Sequence, residues 1–386
     1  MKKTLLITLD FPPMFGGVSN YWANLLKQLP DKDIVVLAPE YDNSLDFDIK
    51  QNFLIYRHKL LSNKKLIWPK WLPFLFQTWR IVRSEKIEQI IVAQVLPGGT
   101  IAYLLKKFLN IPYVLSFHGL DIALSQSRPR KRHLLKKILK HADRIIVNSQ
   151  YTSHELTKVG LGNNTPVEII YPCPNFSQKS SDQTLKDKII REETLTDRKI
   201  IITVGRLVER KGADKTIEAV KILVSKYPKI LYLIIGKGKY KNYLLNMIQM
   251  YGLSNNVRII ENITDHELPI YYELADIFVM PARRLDNGDV EGFGIVYLEA
   301  NLFGLPAIAG RSGGAIEAVI HDYNGLVVNP LNPIEIAEAI SQLIDNPEKS
   351  AILANQGISR INQTFQWSIQ ASKLQQFLGG DNEQSV

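Results

Sequence analysis

Two glutamates, Glu291 and Glu299, stand eight positions apart around a short glycine turn, Gly292-Phe293-Gly294. The turn opens an expected helix over residues 295–303. A helix start presents unpaired N–H groups and partial positive charge, and glycines let a ligand approach the backbone. Such a place suits an anionic, hydroxyl-rich ligand. Glu291 precedes the helix, whereas Glu299 lies more than one turn inside it at ~3.6 residues per turn, so the two address different parts of one elongated ligand. The plainer alternative is a helix cap and a solvated helix carboxylate. Against it, Glu299 is flanked by Val296, Tyr297, Leu298, Ala300, Leu302 and Phe303, the pattern of a helix packed on both sides. A buried carboxylate needs hydrogen-bond donors, and ribose hydroxyls would supply them.

Three further clusters fall just beyond expected strands. Arg206 and Lys211 occupy the string G-R-L-V-E-R-K-G between a strand at 199–204 and a helix at 213–226. Two cations beside a helix start form a diphosphate clamp in principle, although solvation alone explains most surface cations. His118-Gly119-Leu120-Asp121 follows a strand at 113–117, and Gly16-Gly17 separates a strand at 4–9 from a helix at 18–29. Glycine pairs of this kind need be no more than turns. G-K-G-K after the strand at 231–236 lacks the full phosphate-loop pattern, and no G-x-G-x-x-G follows a strand, which argues against a nicotinamide oxidoreductase. The Asp46-Phe47-Asp48 string has no supporting ligands, so no metal is expected.

The elements that must position these residues alternate strand and helix along the chain. Strands are expected at 34–38, 53–57, 89–95, 145–148, 167–171, 277–280 and 306–309, with helices at 101–109, 151–159, 315–320, 333–344 and 348–365. Alternation of this kind implies doubly wound α/β sheets with ligands beyond the carboxyl ends of the strands. At 386 residues the chain is comfortable for two domains. Its one cysteine, Cys173, excludes a disulfide framework or a four-cysteine zinc site and fits a reducing, cytosolic setting. The amino-terminal apolar run ends too early for a secretion signal, and no stretch reaches the ~18 apolar residues that span a bilayer.

The formal charge of +9 is uneven: residues 1–178 hold 24 Lys and Arg against 13 Asp and Glu, so the first half carries the whole excess. Its sharpest feature is the run Arg128, Arg130, Lys131, Arg132, Lys136, Lys137 and Lys140, with Leu134, Leu135, Ile138 and Leu139 on one helical face. A basic amphipathic helix reads as a peripheral membrane-surface element facing anionic lipid, or as a helix packing its leucines inward with solvated lysines outside; both hold if only the charges meet lipid. Trp68, Trp71, Phe74 and Phe76 near Lys64, Lys65 and Lys70 are either core or a membrane- or acceptor-facing rim. No nucleic-acid-binding motif accompanies the charge.

The E-x7-E arrangement with Gly-Phe-Gly and the later Ser312-Gly313-Gly314 resembles the family-4 retaining glycosyltransferases, enzymes of the two-domain GT-B fold. The longer string P-A-R-R-L-D-N-G-D-V-E-G-F-G-I-V-Y-L-E-A is most similar to the branch containing phosphatidylinositol mannosyltransferases. The resemblance implies an acceptor-binding Rossmann-like domain over 1–178, a linker over 179–196, a nucleotide-sugar-binding domain over 197–364, and a segment 365–386 whose helix crosses back to the first domain. It implies a cleft that closes around the donor. His118, Arg206, Lys211 and Glu291 would be catalytic. The donor would meet Gly16, Gly17, Arg206, Lys211, Glu291, Gly292, Phe293, Gly294 and Glu299, with Asp121 at the sugar or acceptor site. One departure, P-D-K-D where the family often has Gly-His before the second strand, touches none of these.

The implied reaction moves a hexose, best read as mannose from GDP-mannose, to a glycolipid or lipid-linked glycan at the inner membrane face, with retention and without metal or cofactor. Transfer from UDP-glucose, UDP-N-acetylglucosamine or UDP-galactose is the near alternative. A non-catalytic sugar-nucleotide-binding partner protein is the more distant one; the joint presence of His118, Arg206, Lys211, Glu291 and Glu299 argues against it.

Overall fold

In the computed structural model the chain divides into two compact units, Met1–Pro172 with Gln366–Val386, and Cys173–Phe365. The structure describes all residues except 15, 65, 120, 123–127, 163, 177–181 and 380–386.

The first unit is built on a seven-stranded parallel sheet in the order β3-β2-β1-β4-β5-β6-β7. Its strands are β1 (Thr4–Ile7), β2 (Ile34–Pro39), β3 (Leu54–His58), β4 (Gln89–Val92), β5 (Tyr113–Phe117), β6 (Arg144–Val147) and β7 (Val167–Ile169). The central strands read as continuous apolar runs because both faces are covered. Leu5, Val35 and Leu37 enter one core, whereas Leu6, Ile34 and Val36 enter the other. The first core is capped by helices Leu72–Ser84, Thr100–Leu109 and Pro129–His141. The second is capped by helix Gly17–Leu26 and the last helix, Trp367–Gly379. That last helix is tied in by Tyr171 N, which donates to Gln370 Oε1 at 2.8 Å, and by Arg144, which donates to the Leu378 carbonyl at 3.2 Å.

The second unit has a six-stranded parallel sheet in the order β10-β9-β8-β11-β12-β13. The strands are β8 (Lys199–Val204), β9 (Ile230–Ile235), β10 (Val257–Ile260), β11 (Ile277–Met280), β12 (Ala307–Gly310) and β13 (Gly325–Val328). In both sheets the order reverses beside the first strand, between β1 and β4 and between β8 and β11. Ligands of doubly wound sheets gather beyond the carboxyl ends at such a point.

Some elements depart from the sequence reading. The segment 179–196 carries a helix, Gln183–Glu192, capped by Asp182, whose carboxylate accepts from Leu185 N at 2.9 Å, with Ile189 buried. Its few apolar residues among charges hide that face in a linker-like composition. The helix Leu72–Ser84 was also not expected, because its aromatic residues are split between core and solvent: Phe74 is buried whereas Phe76 and Trp79 are exposed.

Candidate active site

In the second unit the site grows from the reversal between β8 and β11. β8 ends at Val204, and Gly205 follows with φ of 146°. A Cβ on the facing Gly236 would run into the Gly205 carbonyl, so the two strand exits touch backbone to backbone. The loop then delivers Arg206, exposed, Arg210, buried, and Lys211, half-buried, before Gly212 (φ 76°) starts helix Ala213–Leu223. From beyond β11, Glu291 meets the last two cations. Lys211 Nζ lies 2.6 Å from its Oε2, and Arg210 Nη1 donates to the same oxygen, while Arg210 Nε reaches Asp289 Oδ1 at 3.2 Å.

The backbone holds this carboxylate in place. Gly314 N donates to the Glu291 carbonyl at 2.9 Å. Gly294 adopts φ of 91°, a left-handed conformation that glycine takes readily, and opens helix Ile295–Leu302; a Cβ there would meet the Tyr297 ring at 2.5 Å. Burial alone would raise the Glu291 carboxyl, but Lys211 and Arg210 outweigh it and hold it down at about 2. Burial pushes the Lys211 ammonium down, Glu291 resists that, and the neighbouring guanidinia of Arg210 and Arg206 add to the fall. The outcome is an ionised cluster in which Arg210 and Lys211 are balanced by Glu291 and Asp289, so that the neighbouring Arg206 leaves the loop with net positive charge. Arg206 makes no salt bridge among the described residues, so its guanidinium is available to an anion.

Glu299 is buried on the same helix, as its apolar flanks require. Its Oε2 accepts from the Tyr272 hydroxyl at 2.9 Å, and the Tyr272 ring stacks on Phe303 with centroids 5.5 Å apart. Burial raises its carboxyl to about 7, with the Tyr272 hydrogen bond and the Lys211 charge opposing the rise. Lys211 therefore acts on both glutamates. Phe293 is 2% exposed, and its ring packs against Phe365 with centroids 5.8 Å apart.

In the first unit His118 stands at the end of β5. Its Nε2 is 3.1 Å from Ser116 Oγ, its ring meets Tyr21 edge-on at 5.0 Å, and its backbone N–H donates to Asp121 Oδ2 at 2.9 Å. Burial lowers the imidazole to about 4, leaving it neutral at ordinary pH. Burial raises Asp121 to about 6; the His118 N–H opposes the rise and Asp10 adds to it. A Cβ on Gly16 or Gly17 would meet nothing within 4 Å, so this turn faces open space ahead of helix Gly17–Leu26. The chain thus brings Lys211, Glu291, Glu299, Gly292 and Gly294 together in one unit, and His118 and Asp121 together in the other.

The structure adds Arg210 and Tyr272 to the residues singled out from sequence. Arg210 sits beside Lys211 in the same V-E-R-K string, and the signal available was that a buried Glu291 needs more than one cation. Nothing in the sequence marked Tyr272.

Helix Pro129–His141 buries Leu135, Ile138 and Leu139 completely in the core, so its apolar face is not free. Arg128, Arg130, Lys131, Arg132, Lys136, Lys137 and Lys140 are all exposed. Among the described residues no helix is long and apolar enough to cross a membrane, and no group of three His, Cys, Asp or Glu gathers to hold a metal ion.

Two doubly wound parallel sheets, each reversing beside its first strand and each with a polar cluster beyond its strands' carboxyl ends, define the GT-B architecture. The family model for "Glycosyl transferases group 1" matches residues 186–360 and that for "Glycosyltransferase Family 4" matches residues 15–176. The chain is 30% identical, over 98% of its length, to the GDP-mannose-dependent alpha-(1-6)-phosphatidylinositol monomannoside mannosyltransferase of Mycolicibacterium smegmatis, covering 99% of that protein. It is likewise 30% identical to the GDP-mannose-dependent monoacylated alpha-(1-6)-phosphatidylinositol monomannoside mannosyltransferase of Corynebacterium glutamicum, with 98% of each chain covered. Among solved structures, Anabaena HepE in complex with UDP superposes with a TM-score of 0.83 at 18% identity, covering 97% of this chain and 99% of the other, which shows the shared fold. The chain belongs to the family-4, group 1 glycosyltransferases.

Proposed function

We propose that the protein transfers mannose from GDP-mannose, with retention, to a glycolipid acceptor of the cell envelope. The observation that carries the reading is the ion-paired Lys211–Glu291–Arg210 cluster beside an exposed Arg206, at the reversal between β8 and β11. The choice of mannose and of a glycolipid rests on the two relatives, which match the chain from end to end.

As the sugar's C1–O bond breaks, negative charge collects on the departing diphosphate while the sugar becomes oxocarbenium-like. Arg206 and Lys211 are fixed cations for that charge, and the N–H groups at the start of helix Ile295–Leu302 add to them. In this scheme Glu291 orients donor hydroxyls and Glu299 takes the ribose. By the family resemblance, His118 and Asp121 would address the sugar and Gly16-Gly17 the diphosphate. The acceptor hydroxyl bonds to C1 on the face the leaving group vacates and passes its proton to the departing phosphate oxygen. Neither a side-chain nucleophile nor a metal or cofactor enters.

The exposed cations of helix Pro129–His141 would hold the enzyme peripherally on anionic lipid at the cytoplasmic membrane face. The test is a screen of GDP-mannose, UDP-glucose, UDP-N-acetylglucosamine and UDP-galactose for nucleotide release, with and without phosphatidylinositol mannoside vesicles. Lipid-dependent release from GDP-mannose is expected. Release from a UDP-sugar alone would overturn the donor assignment, and no release from any donor would favour a binding protein.

A further inference from the structure

Buried tyrosines in this chain mostly satisfy their hydroxyls with neutral partners. Tyr21, Tyr113 and Tyr297 donate to the backbone carbonyls of Ile170, Ile138 and Met280 at 3.0, 2.6 and 2.6 Å. Tyr272, fully buried, donates instead to Oε2 of a buried carboxylate, Glu299, at 2.9 Å. A buried phenol needs an acceptor, but a carboxylate is a poor one for that purpose alone, because it brings a desolvated charge into the core. The pairing therefore serves the carboxylate.

The ring that carries this hydroxyl is clamped by three others. Glu299 and Phe303 stand one turn apart at the end of helix Ile295–Leu302, so their side chains share a face. Tyr272 spans that face, with its hydroxyl on Glu299 and its ring parallel to Phe303, 3° between planes and 5.5 Å between centroids. Phe278 of β11 and Phe176, near the start of the second unit, each lie with centroids 6.3 Å from the Tyr272 ring. Tyr272 itself comes from helix Leu268–Leu274, ahead of β11. Elements other than the helix bearing Glu299 thus set where the hydroxyl stands. The second carboxylate oxygen, Oε1, makes no hydrogen bond or salt bridge with another described residue, although Glu299 is only 7% exposed. One oxygen is fixed and the other is left over.

We propose that Tyr272 is a positioning residue for the donor: by holding Oε2 it leaves Oε1 of Glu299 set to accept a ribose hydroxyl, an assignment that rests on the ribose role of Glu299 given above. Tyr272 does not touch the ligand. A loose glutamate would lose its rotamer freedom when the nucleotide binds, which weakens binding about three- to tenfold. The clamp of Phe303, Phe278 and Phe176 on Tyr272 removes that freedom beforehand. The hydrogen bond also favours the ionised carboxylate, the form that accepts most strongly from a hydroxyl. Lys211 acts on Glu299 in the same sense, and Asp265, ahead of helix Leu268–Leu274, opposes both.

The test is calorimetric binding of two probes to the full-length protein at pH 8: GDP, and 2′,3′-dideoxy-GDP, which lacks the ribose hydroxyls. The wild type is expected to prefer GDP by about tenfold or more, the worth of one or two hydrogen bonds to a charged group. In Tyr272→Phe, which keeps the ring and its stacking, that preference should fall to about threefold or less. Phe303→Leu keeps the hydroxyl but removes the ring behind it, and should lower the preference too; it carries the test if Tyr272→Phe does not fold. Tyr297→Phe is the control. It removes another buried hydroxyl from the helix of Glu299, and should lower the melting temperature while keeping the preference. The inference is overturned if Tyr272→Phe keeps the full preference, if it weakens both probes by one factor, or if Tyr297→Phe loses the preference equally. If the wild type binds both probes alike, the ribose role of Glu299 has failed on its own. The carbon-13 carboxyl resonance of Glu299 then shows whether Tyr272 governs that group: a midpoint about one pH unit higher in Tyr272→Phe supports the hold, and an unmoved midpoint overturns it.

Discussion

Replacing Glu299 with glutamine separates two effects that the structure places on one carboxyl. Burial moves its titration from 4.5 to about 7, against the opposing pull of Tyr272 and Lys211. An unfolded chain ionises this group near 4.5, so between pH 4.5 and 7 the folded protein binds more protons than the unfolded one. Stability therefore falls as pH rises through that window. At about 1.36 kcal/mol per pH unit, the ionised carboxylate costs the folded state about 3 kcal/mol above pH 7. Glutamine keeps the shape and an acceptor for the Tyr272 hydroxyl but removes the charge. The Glu299→Gln protein should melt several degrees above wild type at pH 8, at roughly 2–4 °C per kcal/mol for a unit of this size. The difference should vanish near pH 4.5.

Donor binding should move the other way. A carboxylate that accepts ribose hydroxyls binds them in its ionised form, and that form falls from roughly nine-tenths to one-tenth between pH 8 and pH 6 for a group titrating at about 7. GDP-mannose is a diphosphate diester whose own charge is constant there. Its Kd for wild type, measured by isothermal titration calorimetry, should rise about tenfold over that interval, with proton release below pH 7. The variant should bind more weakly at pH 8 and show no slope. A flat wild-type profile, a slope that survives in the variant, or a variant less stable than wild type at pH 8 would each refute the reasoning.

Glu291→Ala should abolish transfer and lower the stability of the second unit in denaturant titration by about 3 kcal/mol, since it leaves Lys211 without its partner and Arg210 with Asp289 alone. The Glu291 carboxyl is held at about 2, so its contribution is complete above pH 4.5 and is lost as pH falls through about 2; Glu291→Gln should flatten acid unfolding over that range. His118, buried and lowered to about 4, should show no imidazole titration by NMR between pH 5.5 and 8, and a midpoint near 6.5 would contradict its burial. Replacing Arg130, Lys131 and Arg132 together by serine should weaken sedimentation with anionic liposomes and leave the melting temperature unchanged, because all three are exposed; unchanged sedimentation removes the membrane role for that cluster.

Strands were the most legible part of the fold. β5, β8 and β11 match their expected limits to the residue, because each is a β-branched or aromatic run that ends where polar or glycine-rich loops begin. β13 escaped notice because Gly325–Val328 is four residues long and follows a turn that resembles any other. Helix Lys241–Met250 was missed because its buried residues, Leu244, Met247 and Ile248, are fewer than its exposed ones. At the site, residue types pointed to Lys211, Glu291 and Glu299. The sequence could not show that Arg210 turns inward while Arg206 turns out, since that depends on how the β8 loop meets the loop after β11. The burial of Phe293 was hidden for a similar reason: Phe365, its partner, lies 72 positions away.

The same loops explain why a costly cluster of buried charges persists. Replacing such a cluster with apolar residues of similar volume is often neutral or stabilising, so stability gives no reason to keep Lys211, Arg210 and Glu291 together. Instead the chain spends its glycines on bringing them there. A Cβ on Gly212 would strike the Pro281 carbonyl, one on Gly310 the Ala282 carbonyl, and one on Gly314 the Gly292 carbonyl. These contacts pull the exits of β8, β11 and β12 to backbone distance and fix the carboxylate between its cations before any ligand arrives. Preorganised charge of this kind does its work when new charge develops, because no reorganisation is then required. Each of the three glycines is therefore as much a part of the proposed diphosphate site as Lys211, although none needs to touch the ligand.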